Sequence, residues 1–192
     1  MLKLLIIKIK TEFDFAPYLY IFPVNIRLEI MALSQHSDKA IAFTSALLKY
    51  HYLPNLLNSP LKIQLNRYGK PYLVDYPNID FSISHSGEYV VMGIKENGQI
   101  GVDLELINKD IDLSISSLAF STSECRFVDT YMDFFILWTK KEAYLKCLGT
   151  GFMEESMLNT AFNNNLDEAF DSYQFQSIIF DEKYILSICI SE

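Results

Sequence analysis

The stretch FSISHSGEYVVMGIKENGQIGVDLELI, residues 81–107, decides the fold. It predicts two strands joined by a turn at Gly87, and a third strand that opens after Gly98. Upstream, the segments LKIQL and YLVDY flank the turn RYGKP, residues 67–71, and predict two further short strands. The middle of the chain is therefore expected to be built mainly from short strands.

Two helical patterns lie on either side of these strands. The first runs from about Asp38 to Tyr52, with Ser37 or Asp38 available as its cap and Pro54 expected to stop it. The second runs from about Tyr131 to Leu148 and is expected to end at Gly149. Each helix would supply a layer for a neighbouring group of strands.

The end of the chain predicts a last hairpin. The segment QFQSIIFDEKYILSICI, residues 174–190, is expected to turn at residues 181–183, and NNNLDE, residues 163–168, is expected to form a loop before it. Residues 81–94 resemble residues 175–190, and that alignment places Tyr89 opposite Tyr184. The same shift overlays the two helices, although any two amphipathic hairpins look somewhat alike.

These patterns together predict the α+β class. The expected architecture has two similar α+β halves in one chain, residues 1–98 and 99–192, each a small antiparallel sheet packed on a long helix. An internal duplication of this kind, a pseudo-dimer, would place a site between the N-terminal half and the C-terminal half.

Composition limits the partners. The 192 residues are 50% hydrophobic and carry a formal net charge of −8, so no basic field is available to hold a nucleic-acid backbone. The apolar run from Leu4 to Ile7 is too short for a membrane span. Three cysteines without paired spacing indicate buried thiols in a reducing compartment. We expect a cytoplasmic monomer that binds neither nucleic acid nor membrane.

The segment GVDLE, residues 101–105, carries two carboxylates on one strand face. Asp103 and Glu105 are two residues apart and therefore project to the same side. A solvated strand face would explain them equally well in isolation. The flanking apolar residues indicate a buried strand, where two like charges are costly without a cation. Oxygen ligands of this kind favour Mg²⁺ over zinc.

The second helix contains WTKKEAYLKCLGTG from residue 138. Trp138, Glu142 and Lys146 follow at intervals of four residues and share one stripe of the helix. The simpler interpretation is a surface ion pair between Glu142 and Lys146, with Trp138 filling the core. In the other, Glu142 is a third oxygen ligand for Mg²⁺ and Lys146 reaches a bound phosphate as a point charge.

Two polar segments lie in the strand region. In FSISHSG, residues 81–87, Ser84 and His85 stand at a strand end before a glycine. RYGKP contributes Arg67 and Lys70 on a tight turn. Each segment alone indicates no more than a core histidine or a polar hairpin loop.

Five ordered motifs, RYGKP, FSISHSG, GVDLE, FSTSE (residues 120–124) and WTKKEAYLK, resemble the 4'-phosphopantetheinyl transferases of the surfactin-synthetase-activating branch. The resemblance is dense over about residues 67–151. It implies two similarly folded halves with coenzyme A bound between them. Carried over by motif, it implies a metal site at Asp103, Glu105 and Glu142, pyrophosphate contacts from Lys146 and Ser84, and a place for His85 with Lys70 at the 3'-phosphate or adenosine end.

The resemblance also implies a reaction. A serine of an apo acyl or peptidyl carrier protein would attack the β-phosphorus of coenzyme A with the aid of Mg²⁺, releasing adenosine 3',5'-bisphosphate. Lys146 would stabilise the leaving group. Glu142 is the first candidate for the general base, with Glu124 or a metal-bound water as alternatives.

The dianionic phosphate needs a local positive cluster in so acidic a chain. The candidates are Arg67, Lys70, His85, Lys141 and Lys146. Family members usually bring further basic residues from the N-terminal half, where the segment LSQHSDKAIAFTSALL offers little beyond Lys39.

Two other functions stay open. Carboxylate pairs followed by lysines also build metal-dependent nucleases and phosphodiesterases, although Ile107 stands where the common nuclease pattern has a lysine. A non-catalytic carrier-protein-binding protein of the same fold is the second alternative, and it would need a lesion among the three carboxylates.

Overall fold

The computed structural model describes residues 1–10, 12–151, 169–170 and 172–191. In the N-terminal half it has strands β1 (Leu2–Lys8), β2 (Ile63–Leu65), β3 (Pro71–Leu73), β4 (Ile79–Ser86) and β5 (Tyr89–Glu96). The helices of this half are α1 (Val24–Ala32), α2 (His36–Leu47) and α3 (Leu53–Leu57), with a 3-10 helix at Ala16–Ile21 and a π-helical turn at Leu48–Tyr52. The loop predicted for residues 163–168 lies outside the described residues.

In the C-terminal half the strands are β6 (Ile100–Leu106), β7 (Ala169–Phe170), β8 (Tyr173–Phe180) and β9 (Tyr184–Ser191). The helices are α4 (Ser116–Ala119), α5 (Thr122–Cys125) and α6 (Tyr131–Leu148), with a 3-10 turn at Leu113–Ile115. The predicted α+β class is confirmed.

The described residues form two larger antiparallel sheets and a two-stranded one, β2-β3. The first has the order β1-β5-β4 and the second the order β6-β9-β8-β7. Helix α2 places Phe43 and Ala46 in a core with Met92 and Ile94 of β5. Helix α6 packs on β6 and β9 in the same way. The predicted arrangement of a sheet on a helix is present in both halves, while their origin by duplication stays a prediction.

Helix α6 has the bounds that the sequence predicts, and local chemistry explains both ends. Thr130 and Asp133 form a reciprocal capping box that satisfies the first free N–H groups. Gly149 ends the helix in the left-handed region, with φ of 70°, where a glycine has no steric cost. Strand β6 approaches this helix closely because Gly101 has no side chain; a Cβ there would collide with the backbone of Ala143 and Cys147.

The two sheets meet through side chains rather than through a shared strand ladder. Alternate residues of β4, at positions 80, 82, 84 and 86, accept hydrogen bonds from the N–H groups of residues 100, 102, 104 and 106 of β6. We call this row the β4 side-chain ladder. It satisfies the free edge of β6, whose other edge pairs with β9. Tyr89 and Tyr184, aligned by the sequence repeat, touch across the same junction with ring centroids 4.9 Å apart.

The first predicted helix requires correction. It begins two residues earlier, after Gln35, which makes no side-chain cap, and the chain stays helical through Leu57. Pro54 does not stop it because the π-helical turn before it resets the hydrogen bonding, and proline is tolerated in a first helical turn. Helix α1 was not predicted. Within the described ranges, no helix is both long and apolar enough to cross a bilayer.

Candidate functional site

A cavity of about 720 Å³ opens between the two halves. Its apolar wall comes from α1, α2 and β4 and includes Ile30, Ala42 and Phe81. Helix α6 contributes Glu142 and Lys146. The turn at residues 68–71 and the glycines that follow α6 also line the cavity. Its size and its apolar wall with few polar groups are typical of a small-molecule site.

Asp103 lies on β6 at the junction of the halves and is only 3% exposed. Its Oδ1 accepts a hydrogen bond of 2.9 Å from Ser84 and forms an ion pair with Lys146. Its buried Oδ2 has no hydrogen-bond partner within the described part of the chain. Burial raises the pKa of Asp103, although Lys146 and Ser84 oppose that shift.

Glu105 projects from the same face of β6, as the alternation of the strand predicts. Its Oε2 accepts a hydrogen bond of 2.9 Å from Ser86, and the nearby Trp138 side chain also favours the charged form. Burial and the charge of Asp103 raise the pKa of Glu105.

Glu142 faces these two carboxylates from helix α6. Burial, followed by the charges of Asp103 and Glu105, raises its pKa to about 7, while Lys146 lowers it. The three carboxylates therefore interact electrostatically, and one lysine compensates them only in part.

The donor set fits a hard cation, although the side chains are not arranged around one point. In residues 1–10, 12–151, 169–170 and 172–191, no three His, Cys, Asp or Glu side chains stand together as a metal cluster. The Lys146 ammonium instead occupies Oδ1 of Asp103. Oδ2 of Asp103 is unpartnered and the carboxyl pKa values are raised, as expected for oxygen ligands whose charge is not compensated. A divalent cation would bind the free oxygen and lower these pKa values. The predicted convergence of the three carboxylates stays a prediction.

His85 and Lys146 both line the cavity, and their contacts with coenzyme A stay predictions. Burial and the nearby Lys146 lower the pKa of His85, while Asp103 and Asp38 oppose that shift. His85 is therefore a neutral donor or acceptor at pH 7. The Ser84 hydroxyl is fully occupied, because it donates to Asp103 and accepts from Lys146 and from the Leu104 N–H. Its predicted pyrophosphate contact would require the exchange of one of these bonds.

Lys70 lines the cavity with its stem, but its ammonium joins the halves. Its Nζ donates to Asp80 Oδ2 at 2.6 Å, to the carbonyl of Cys147 at 3.1 Å and to that of Ile100 at 3.3 Å. All three N–H groups are thus used within the protein. The sequence could not show this, because two of the acceptors are backbone carbonyls of the other half.

Three residues predicted for the site are not among the described residues that line the cavity. Lys141 and Glu124 are both 0% exposed and form an ion pair of 2.7 Å. Glu124 also accepts from the N–H and hydroxyl of Ser121 in a helix cap. Lys141 therefore does not belong to a phosphate cluster, and Glu124 is too enclosed to be a general base. Arg67 is exposed and stacks on Tyr68, with its guanidinium 4.5 Å from the ring centroid.

Lys49 is a cavity residue that the sequence interpretation missed. It extends from the π-helical turn into the cavity, and burial lowers its pKa against the opposing charge of Glu29. A partly buried ammonium without an ion pair in the described structure is suited to an anionic ligand. The signal was the isolated lysine in TSALLKYHYL, which periodicity alone assigns to a solvated helix face.

Comparisons with known proteins match both halves. Residues 99–189 match the family model described as the 4'-phosphopantetheinyl transferase superfamily, and residues 11–97 match the one described as 4'-phosphopantetheinyl transferase, N-terminal. The chain is 32% identical to the 4'-phosphopantetheinyl transferase gsp of Aneurinibacillus migulanus over 79% of this chain and 67% of that protein. It is 35% identical to the 4'-phosphopantetheinyl transferase Sfp of Bacillus subtilis over 48% of this chain and 43% of that protein.

A more distant match covers most of the chain. It is 23% identical to the L-aminoadipate-semialdehyde dehydrogenase-phosphopantetheinyl transferase of Candida glabrata, over 92% of this chain and 74% of that protein. The chain thus spans about two thirds of the gsp protein and less than half of Sfp.

Proposed function

Because this chain belongs to the 4'-phosphopantetheinyl transferase family, we propose that it transfers 4'-phosphopantetheine from coenzyme A to a serine of an apo acyl or peptidyl carrier protein, releasing adenosine 3',5'-bisphosphate. The observation that carries the proposal is the cavity between the halves, where an apolar wall is combined with Glu142 and Lys146, and Glu142 in turn interacts with Asp103 and Glu105 of β6. We further propose the surfactin-synthetase-activating branch, a monomeric state and a cytoplasmic location.

Coenzyme A would bind with its adenosine against the apolar wall. Lys49 supports this orientation because it brings a cation from the N-terminal half to the cavity, where the 3'-phosphate needs one. Lys146 would meet the pyrophosphate, since it lies beside Asp103, and His85 would stand at the 3'-phosphate or adenosine end. Lys49 would thus add N-terminal positive charge to the little that Lys39 offers in the preceding segment LSQHSDKAIAFTSALL.

Asp103, Glu105 and Glu142 would hold Mg²⁺, which supplies charge neutralisation at the pyrophosphate. For this, Lys146 must release Asp103, and a phosphate oxygen is the natural new partner for its ammonium. There the ammonium stabilises negative charge on the leaving group as the phosphoanhydride bond breaks.

The carrier serine oxygen would form a bond to the β-phosphorus while the bond from that phosphorus to the leaving phosphate oxygen breaks. The serine proton goes to a carboxylate oxygen of Glu142 or to a water beside it. Glu142 is the first candidate for this base because it lies among the interacting carboxylates and beside Lys146.

One assay separates this function from a phosphodiesterase and from a non-catalytic carrier-binding protein. Purified protein is incubated with fluorescent coenzyme A, Mg²⁺ and an apo carrier protein, and the carrier is analysed by mass spectrometry. We expect the mass of one labelled phosphopantetheine on the carrier serine, and none on a serine-to-alanine carrier. Hydrolysis of coenzyme A without carrier labelling would favour the phosphodiesterase, and binding without any turnover would favour the non-catalytic protein.

A further inference from the structure

We propose that Ser86 is a positioning residue that holds the Glu105 carboxylate in the orientation in which it binds a divalent cation. The inference rests on the proposed function, because it concerns the metal ligands of that site. Its basis is the β4 side-chain ladder, which does more than join the two sheets.

Ser86 is hydrogen-bonded on both sides. Its Oγ accepts from the N–H of Leu106 at 3.0 Å and donates to Oε2 of Glu105 at 2.9 Å. A serine hydroxyl has one proton, and here that proton points at the carboxylate. The backbone of Ser86 is itself fixed, because it pairs with Tyr89 at the end of the β4–β5 hairpin.

The remaining contacts of Glu105 leave room for a cation. The nearby Trp138 side chain also favours the charged form of this carboxyl. A carboxylate has about four acceptor sites, so the hydrogen bond from Ser86 leaves sites for a metal. Groups that orient a metal ligand in this way typically change metal affinity by about 10-fold to 100-fold.

Ser82 is a matched control on the same strand. Its Oγ accepts from the N–H of Val102 at 3.1 Å, as Ser86 accepts from Leu106. Within the described residues, the Ser82 hydroxyl has no carboxylate partner. Ser82→Ala therefore removes one rung of the ladder without releasing a metal ligand.

The test is a direct measurement of metal binding. Trp138 is the only tryptophan of the chain and contacts Glu105, so its fluorescence should report occupation of the site. Mg²⁺ is titrated in the presence of coenzyme A and in the absence of carrier protein, and Mn²⁺ binding is measured in parallel from the electron paramagnetic resonance signal of the free ion. We expect Ser86→Ala to weaken metal binding by about 10-fold to 100-fold. Ser86→Thr, which keeps the hydroxyl, should restore it, and Ser82→Ala should bind as the wild type does.

The outcomes separate this inference from the proposed function. If the wild type binds neither ion, the metal site is lost and the role of Ser86 with it. If the wild type binds and Ser86→Ala binds equally well, only the role of Ser86 is overturned. Equal losses of metal affinity in Ser86→Ala and Ser82→Ala would show that the ladder only joins the two sheets, and would also overturn the role of Ser86. Thermal melting in EDTA establishes that each variant is folded, and Ser86→Cys, with its weaker donor, replaces Ser86→Ala if the latter fails to fold.

Discussion

Replacing Lys141 by methionine should destabilise the protein strongly and leave coenzyme A binding unchanged. The Lys141 ammonium lies 2.7 Å from Oε2 of Glu124, and both side chains are 0% exposed. Methionine keeps most of the unbranched apolar stem, is one atom shorter and carries no charge. Glu124 would therefore keep the Ser121 donors and lose the cation that compensates its buried charge.

The magnitude follows from this burial. Removing one partner of a buried ion pair typically costs about 3 to 5 kcal/mol, because the remaining charge loses its compensation. Burial already lowers the pKa of Lys141 despite the attraction of Glu124, so desolvation dominates at this position. In the double variant Glu124→Gln/Lys141→Met neither charge remains, and the amide oxygen that replaces the carboxylate can still accept from Ser121. The double variant should therefore be more stable than Lys141→Met alone.

Urea denaturation of the wild type, both single variants and the double variant completes a thermodynamic cycle. Steady-state kinetics on the folded Lys141→Met protein then measure KM for coenzyme A. A loss below about 1 kcal/mol would contradict the buried pair. A tenfold or larger rise in KM without destabilisation would return Lys141 to the phosphate-binding cluster that the sequence suggested.

Three further predictions concern helix α6 and the strand beneath it. Lys146→Ala should lower kcat by about 100-fold to 1000-fold, more than it raises KM, and Lys146→Arg should restore kcat only in part. Turnover within about threefold of the wild type would show that Lys146 forms only the ion pair with Asp103. In EDTA, the free energy of unfolding should fall as pH rises from 4.5 to about 7, because over that range folded Glu142 retains a proton that the unfolded chain has lost. Glu142→Gln should remove up to about 3 kcal/mol of that fall, and less where water screens the carboxyl. If urea titrations give the variant the same pH dependence as the wild type, the fall does not come from Glu142. Gly101→Ala should cost about 1 to 3 kcal/mol or more, because its Cβ meets the backbone of α6, and an unchanged thermal midpoint would show a looser contact.

The sequence predicted best those features that depend on neighbouring residues. Helix α6 could be delimited because its cap and its terminal glycine lie beside it in the chain. Asp103 and Glu105 share a face because strand alternation requires it. The interaction of Asp103 and Glu105 with Glu142 could be predicted only by combining this alternation with the family resemblance.

The features that the sequence did not reveal depend on distant partners. Lys70 and Lys141 are ordinary cations in the sequence, and only the fold shows that one is bonded to Asp80 and two carbonyls and the other to Glu124. The continuation of helix past Pro54 depends on a π-helical turn that no residue pattern announces. Lys49 became a candidate because the π-helical turn after α2 places it beside the cavity.

The β4 side-chain ladder also has a consequence for the order of folding. Each of its rungs joins residues only 20 positions apart, whereas β1 must find β5 across most of the N-terminal half and β6 must find β9 at the far end of the chain. Short loops close at a lower entropic cost, so contacts between β4, β5 and β6 should form first. Ser82→Ala should then slow refolding, whereas Ile188→Ala in β9 should mainly accelerate unfolding, as stopped-flow kinetics can measure. In that case the junction between the halves would be part of the folding nucleus, and the two halves would not fold separately before they dock.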